Sequence, residues 1–228
     1  MSLQPSLNIL LAQRLLPGFD SRLLVTWAAD ALSDGYGGEG LVRLARMERS
    51  TPAARMACFS ACVADLGLST CAEPHSLLQH YAFYLARRVV RRKIDGFEGL
   101  EKLKSIYVAS DYDSRYQAFY LLAEDLAALR AGGVVFLTKD LSADNGEELV
   151  LRTCTEFLSW ESVNINPHRW GAVYCFSCHH VDAPVESGTW LSTKTSRPQC
   201  RLCGSRAVGS FSEEADRSRI LAAAARGE

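Results

Sequence analysis

The sequence predicts a mainly α protein: a stacked helical domain over about residues 1–165, then a small domain of short β-strands over 166–228 that closes with a helix. Three observations carry this. Apolar residues recur at helical spacing through most of the first 160 positions, broken at intervals by Pro and Gly. Beyond Trp170 the texture changes to single Val, Trp and Phe residues among Gly, Ser, Thr and Pro, the look of short strands and turns. That last stretch also carries Cys175-Phe-Ser-Cys178 and Cys200-Arg-Leu-Cys203, two CxxC pairs with twenty-one residues between them.

In chain order, leucines at 7, 10, 11 and 15 predict a helix over 5–16 that stops at Pro17-Gly18. Asp20 or Ser21 can cap a second helix through Leu23, Leu24, Trp27, Ala28 and Leu32. The glycine-rich stretch Gly35–Gly40 ends it, and a third helix follows through Leu41, Leu44 and Met47. Ser50-Thr51-Pro52 is a start signal for a fourth helix, running to about Leu66, because a hydroxyl caps while proline occupies the first helical position. A long helix is expected over 75–94, a short one over 98–107, and another from Asp113 to about Arg130. Val134–Leu137 reads as a strand or a buried extended link. Asn145 opens the last helix of this part, Pro167–Trp170 is the expected joint, and the alanine-rich tail from Glu213 to Ala225 predicts a terminal helix.

A chain of 228 residues, 48% hydrophobic and 22% charged, can bury a core without staples. The formal net charge is −1, with 18 Lys and Arg against 20 Asp and Glu up to residue 170 and 7 against 6 after it. No bulk field therefore draws the protein to nucleic acid or anionic lipid. No run approaches the 18 or so apolar residues of a membrane span. The N-terminus lacks the basic region of an export signal, so the eight cysteines are expected in a reducing, cytoplasmic setting rather than in disulfides.

A CxxC turn aims two thiolates at one point, and two such turns supply the four ligands of a tetrahedral metal site. Cys175, Cys178, Cys200 and Cys203 are thus the expected ligands of one structural Zn²⁺, with Trp190 as the large aromatic that covers it. Four thiolates leave no open position for water, which argues against metal catalysis. His179 and His180 are rival ligands, and a redox-active CxxC is a competing reading. Cys58, Cys62, Cys71 and Cys154 read as core thiols, with a second metal site as their alternative. Gly35, Gly37 and Gly40 fit a dinucleotide-binding string, but a helix precedes them and Asp34 and Glu39 sit where phosphate would lie, so an interhelical loop is expected. Arg87, Arg88, Arg91, Arg92 and Lys93 form the one concentrated basic patch. On a helix Arg87 would stack on Arg91 and Arg88 on Arg92, a ridge able to contact a partner or phosphates or simply to face solvent. No catalytic constellation is present, so no enzymatic activity is expected.

The segment from Cys175 to Cys203 resembles a zinc ribbon: Cys203-Gly204 matches the usual CxxCG knuckle, whereas His179 stands where the first knuckle would carry glycine. Trp27-Ala-Ala-Asp-Ala-Leu32, Gly35 and Leu41-Val-Arg-Leu-Ala45 resemble small helical bacterial proteins of unknown function, some of which act as immunity proteins. Together these imply a non-enzymatic, zinc-containing adaptor that docks a protein partner, such as a toxin it neutralises. The alternative is a nucleic-acid-binding accessory factor using the ribbon and the Arg87–Lys93 patch.

Overall fold

The computed structural model describes residues 3–138, 140–162, 172–182, 198–211 and 213–226. Pro167–Trp170 and Trp190 lie outside the described residues. The chain divides into two compact units, residues 1–82 and 83–228.

The first unit is all helix: α1 Gln4–Leu15, α2 Arg22–Ser33, α3 Glu39–Ala45, α4 Pro52–Asp65 and the start of α5 Pro74–Val90. The start signals act as their chemistry requires. Thr51 accepts from the Ala54 N–H with Pro52 in the first turn, and an Asp20 carboxylate oxygen accepts from the Arg22 N–H at the head of α2. Glu73 accepts from the Ser76 N–H at the head of α5. Leu7, Leu24, Leu41, Leu44 and Phe59 are buried almost completely. Trp27 meets Phe59 edge to face at 5.6 Å, and its indole N–H donates to Ser6 Oγ at 3.1 Å. One charge is taken inside: buried Arg55 donates to Ser21 Oγ and to the Glu48 carbonyl, so its guanidinium is hydrogen-bonded. Gly35 and Gly37 lie between α2 and α3 and Gly40 in the first turn of α3, so the string follows a helix and not a strand.

The second unit begins within α5 and continues through α6 Gly96–Ala109, a 3-10 turn Ser114–Tyr116, α7 Gln117–Arg130 and α8 Gly146–Ser159. Asp95 caps α6 by accepting from the Phe97 and Glu98 N–H groups. Gly99 lets α6 come close to the end of α5, since a Cβ there would stand 2.2 Å from Val89 Cγ2. The core is built around Phe157 of α8, which stacks on Phe83 at 4.7 Å, meets Phe119 edge to face at 5.2 Å and lies 5.8 Å from Tyr116.

After a short 3-10 turn at Trp160–Ser162 the unit adds a three-stranded antiparallel sheet and a last helix. The strands are β1 Val173–Cys175, β2 Val181–Asp182 and β3 Val208–Ser210, in the order β2-β1-β3, and the helix is α9 Glu214–Ala225. Ala172, Tyr174, Phe211, Ile220 and Ala223 form a buried cluster, with Trp160, Phe176 and Val181 packed against it. A single helix therefore covers one face of a sheet too small to bury itself. Arg217 of α9 also pairs with Glu156 of α8, both only 13–14% exposed. Among the described residues the aromatic cover of this cluster is Trp160, Tyr174, Phe176 and Phe211.

Two expectations are corrected. Val134–Leu137 is neither strand nor buried: Val134 is 65%, Phe136 83% and Leu137 53% exposed. The helix expected to reach residue 94 ends at Val90. The Arg91 N–H still donates to the Arg87 carbonyl, but Arg92 takes the left-handed region at φ 53° and the chain leaves the helix there, so Arg92 does not continue the Arg88 row and the two-row ridge is broken.

Candidate metal centre

The site is assembled by strand register. β1 pairs with β3 so that Cys175 lies opposite Val208, and with β2 so that Tyr174 lies opposite Val181. Each CxxC leaves a strand or bridge position and turns in the same way. The His179 N–H donates to the Cys175 carbonyl and the Cys175 N–H to the His180 carbonyl. In the second turn the Gly204 N–H donates to the Cys200 carbonyl and the Cys200 N–H to the Ser205 carbonyl. The fifth residue of each turn is left-handed, with φ 61° at His179 and 71° at Gly204. Histidine takes the position glycine usually fills, and a hydrogen bond of 2.7 Å between its Nδ1 and Tyr174 Oη holds it there. Ser177 and Ser205 join the two turns at 2.8 Å.

The four sulfurs lie within 4.8 Å of one another. Cys175 Sγ is 3.6 Å from Cys203 Sγ, and Cys178 Sγ is 3.6 Å from Cys200 Sγ. A disulfide would need about 2.05 Å, whereas sulfurs at about 2.3 Å from one tetrahedral ion stand about 3.8 Å apart. The cysteines are free thiols at metal-ligating separation and could hold one ion. Neither His179 nor His180 belongs to the group; His180 lies 3.8 Å from Asp182.

The electrostatics favour a thiolate. Burial raises the Cys175 thiol, but the Ser177 and Cys178 N–H groups and the neighbouring Cys178 and Cys203 thiols donate to its sulfur and bring it down to about 6. A second thiolate beside the first is unfavourable without a cation. Accordingly the Cys203 thiol is held above its usual value although the Ser205 N–H favours its anion, because Cys175 and Cys200 stand beside it.

The other cysteines form no such group among the described residues. Burial pushes Cys62 up to about 11 and Cys154 up to about 12, as expected of inert core thiols, whereas Cys71 is exposed. Within the basic patch, Arg87 pairs with Glu161 and Arg88 donates to Tyr84 Oη at 2.7 Å and to the Lys93 carbonyl. Arg92 and Lys93 line a cleft of about 360 Å³ that also presents Asp95 and Glu147, so its charges balance.

One feature was invisible in the sequence. Asp125 of α7 is 3% exposed, and its carboxylate accepts from the backbone N–H groups of Phe136 (3.0 Å), Leu137 (2.8 Å) and Thr138. A buried carboxylate eleven or more residues away thus fixes the exposed Val134–Leu137 loop. Burial alone would raise its pKa, but the three N–H donors outweigh that and hold it below the usual carboxylate value. The clasp therefore contributes fully above an unfolded value of about 3.9 and is lost as pH falls through the lower folded one. Protection of the amides at residues 136–138, relative to the intrinsic exchange rate at each pH, is expected to be high at neutral pH and to fall below about pH 4. Asp125→Asn should remove that pH dependence, and an unchanged profile in the variant would show that the carboxylate is not the clasp.

No helix among the described residues is long and apolar enough to cross a membrane. Compared with known protein families, with curated proteins and with solved structures, the chain matches none. What fold and site define is a mainly helical protein with a small antiparallel sheet and a four-cysteine cluster that could hold a metal.

Proposed function

We propose that Cys175, Cys178, Cys200 and Cys203 bind one structural Zn²⁺ in a zinc ribbon, and that the protein is a non-enzymatic adaptor docking a protein partner. Four thiolates and no neutral ligand suit a soft or borderline ion, and the filled set leaves nothing open for chemistry. A reducing, cytoplasmic setting belongs to this reading, because free thiolates are the ligands. Neutralising a bacterial toxin is the particular role that the N-terminal resemblance suggests.

The observation that carries docking is the loop at Val134–Leu137. Three large apolar side chains stand in solvent on a backbone held by a buried carboxylate. Isolated exposed apolar residues are ordinary, but a contiguous, pre-organised set is the usual form of a recognition anchor. The three N–H groups are engaged by Asp125, so the loop offers side chains and not a strand edge. Phe136→Asp is expected to abolish recovery of a stoichiometric protein after nuclease treatment while leaving the unfolding transition in place. Equal recovery by the variant, or no reproducible partner, would sink the reading.

The second reading, nucleic-acid binding, rests on Arg91, Arg92 and Lys93, which are exposed in the turn after α5. Arg87 and Arg88 are already engaged within the chain, and the net charge is −1. Such binding would weaken steeply with salt through counterion release. A salt-independent or absent signal excludes it.

A further inference from the structure

The four sulfurs are not equivalent, and their inequality is ordered. Cys175 is 1% exposed and Cys200 5%, whereas Cys178 is half-buried and Cys203 exposed. The two sulfur–sulfur contacts at 3.6 Å run across the turns and join one of each kind: exposed Cys203 with buried Cys175, and half-buried Cys178 with buried Cys200. Each pair thus joins a residue that meets solvent with one that is buried.

That is the arrangement of an attacked thiol and a resolving thiol. We propose that the cluster is a peroxide-sensitive site in which Cys203 and Cys178 are oxidised first and the disulfides Cys175–Cys203 and Cys178–Cys200 form as the metal leaves. This rests on the zinc reading above. In each half, the accessible thiolate attacks one peroxide oxygen and the O–O bond breaks. The sulfur becomes a sulfenic acid, and the released hydroxide takes a proton to become water. The buried thiolate then attacks that sulfur, forming the S–S bond and displacing a second hydroxide, which is also protonated. Two electrons pass from each thiolate pair to each peroxide, so two peroxides release one Zn²⁺ and yield two disulfides and four waters.

Pairing across the turns, not within a CxxC, follows from what holds the turns together. The Ser177–Ser205 hydroxyl contact and the Phe176 N–H to Ala207 carbonyl bond do not involve the metal. They keep the paired sulfurs opposite one another, and each 3.6 Å contact has to close by only about 1.5 Å to reach bonding distance. Covalent links then replace the ion between the same two turns, so the sheet survives.

The test uses the full chain as purified, with its zinc content measured first, and adds hydrogen peroxide in steps. Zinc release is followed by a colorimetric chelator, sulfenic acids are trapped with dimedone, and disulfides are mapped by mass spectrometry. Complete release at two peroxides per zinc is expected, with dimedone on Cys203 and Cys178 and the two cross-turn disulfides at the end point. Sheet amides should stay protected, and dithiothreitol with Zn²⁺ should restore the starting state. Zinc retained at peroxide levels that oxidise exposed Cys71 would overturn the proposal. So would Cys175–Cys178 and Cys200–Cys203 disulfides, or dimedone on Cys175 or Cys200. Zinc absent from the untreated protein sinks the metal reading and this proposal with it; the other failures leave the metal reading standing.

Discussion

Stripping the metal with a strong chelator under reducing conditions is expected to unfold the sheet and release α9 while α1 to α8 remain. Structural zinc contributes apparent binding energies of about 10–16 kcal/mol in small metal-built folds, more than a three-stranded sheet of two- and three-residue strands can supply. Once the turns lose their ion, several unpaired thiolates are left within 4.8 Å of one another, so the cluster must protonate or separate. α9 then loses the face that covers Ile220 and Ala223. Amide exchange should report this as loss of protection over 172–182, 198–211 and 213–226. The stacking of Phe157 on Phe83 and its edge-to-face contact with Phe119 belong to the helices and should persist. Metal analysis should give one zinc per chain, and Cys200→Ser should lose it. A different metal would refute the zinc assignment. Uniform loss of helical circular dichroism on chelation would show that the helices and the sheet unfold as one.

Phe157→Ala is expected to destabilise the second unit by about 3–5 kcal/mol. The ring is 5% exposed and touches Phe83, Tyr116 and Phe119, so truncation removes its burial and leaves a hole among three aromatic rings that cannot all close inward. Phe157→Leu keeps most of the volume and should cost less than half as much. Urea denaturation measures both. A loss under about 1 kcal/mol for the alanine variant would mean that the neighbouring rings collapse into the space.

The helices were legible because their signals are local. Thr51-Pro52 and Pro17-Gly18 act within a turn of where they stand, the first opening α4 and the second following the end of α1. Where local pattern and structure differ, the deciding contact is distant or cooperative. The apolar run Val134–Leu137 looked like buried chain because burial is the usual fate of such a run. It stays in solvent because Asp125, more than a helical turn away in sequence, engages its N–H groups. The arginine ridge needed α5 to continue through Arg92, but Arg92 takes a left-handed conformation and the chain leaves the helix there.

The same division runs through the metal centre. Two CxxC pairs at this spacing determined by themselves which four residues come together, because a thiolate pair on a tight turn has few other uses. Histidine's tolerance of positive φ likewise foretold that His179 could take a glycine position, now seen at 61°. Only the tertiary structure decided which sulfur faces which, and which residue of each pair meets solvent. Those facts depend on β1 pairing with β3 in one register and on α9, Trp160 and Glu156 closing over the sheet. Ligand identity is a property of local spacing; exposure and pairing depend on residues the chain brings back from thirty or more positions away.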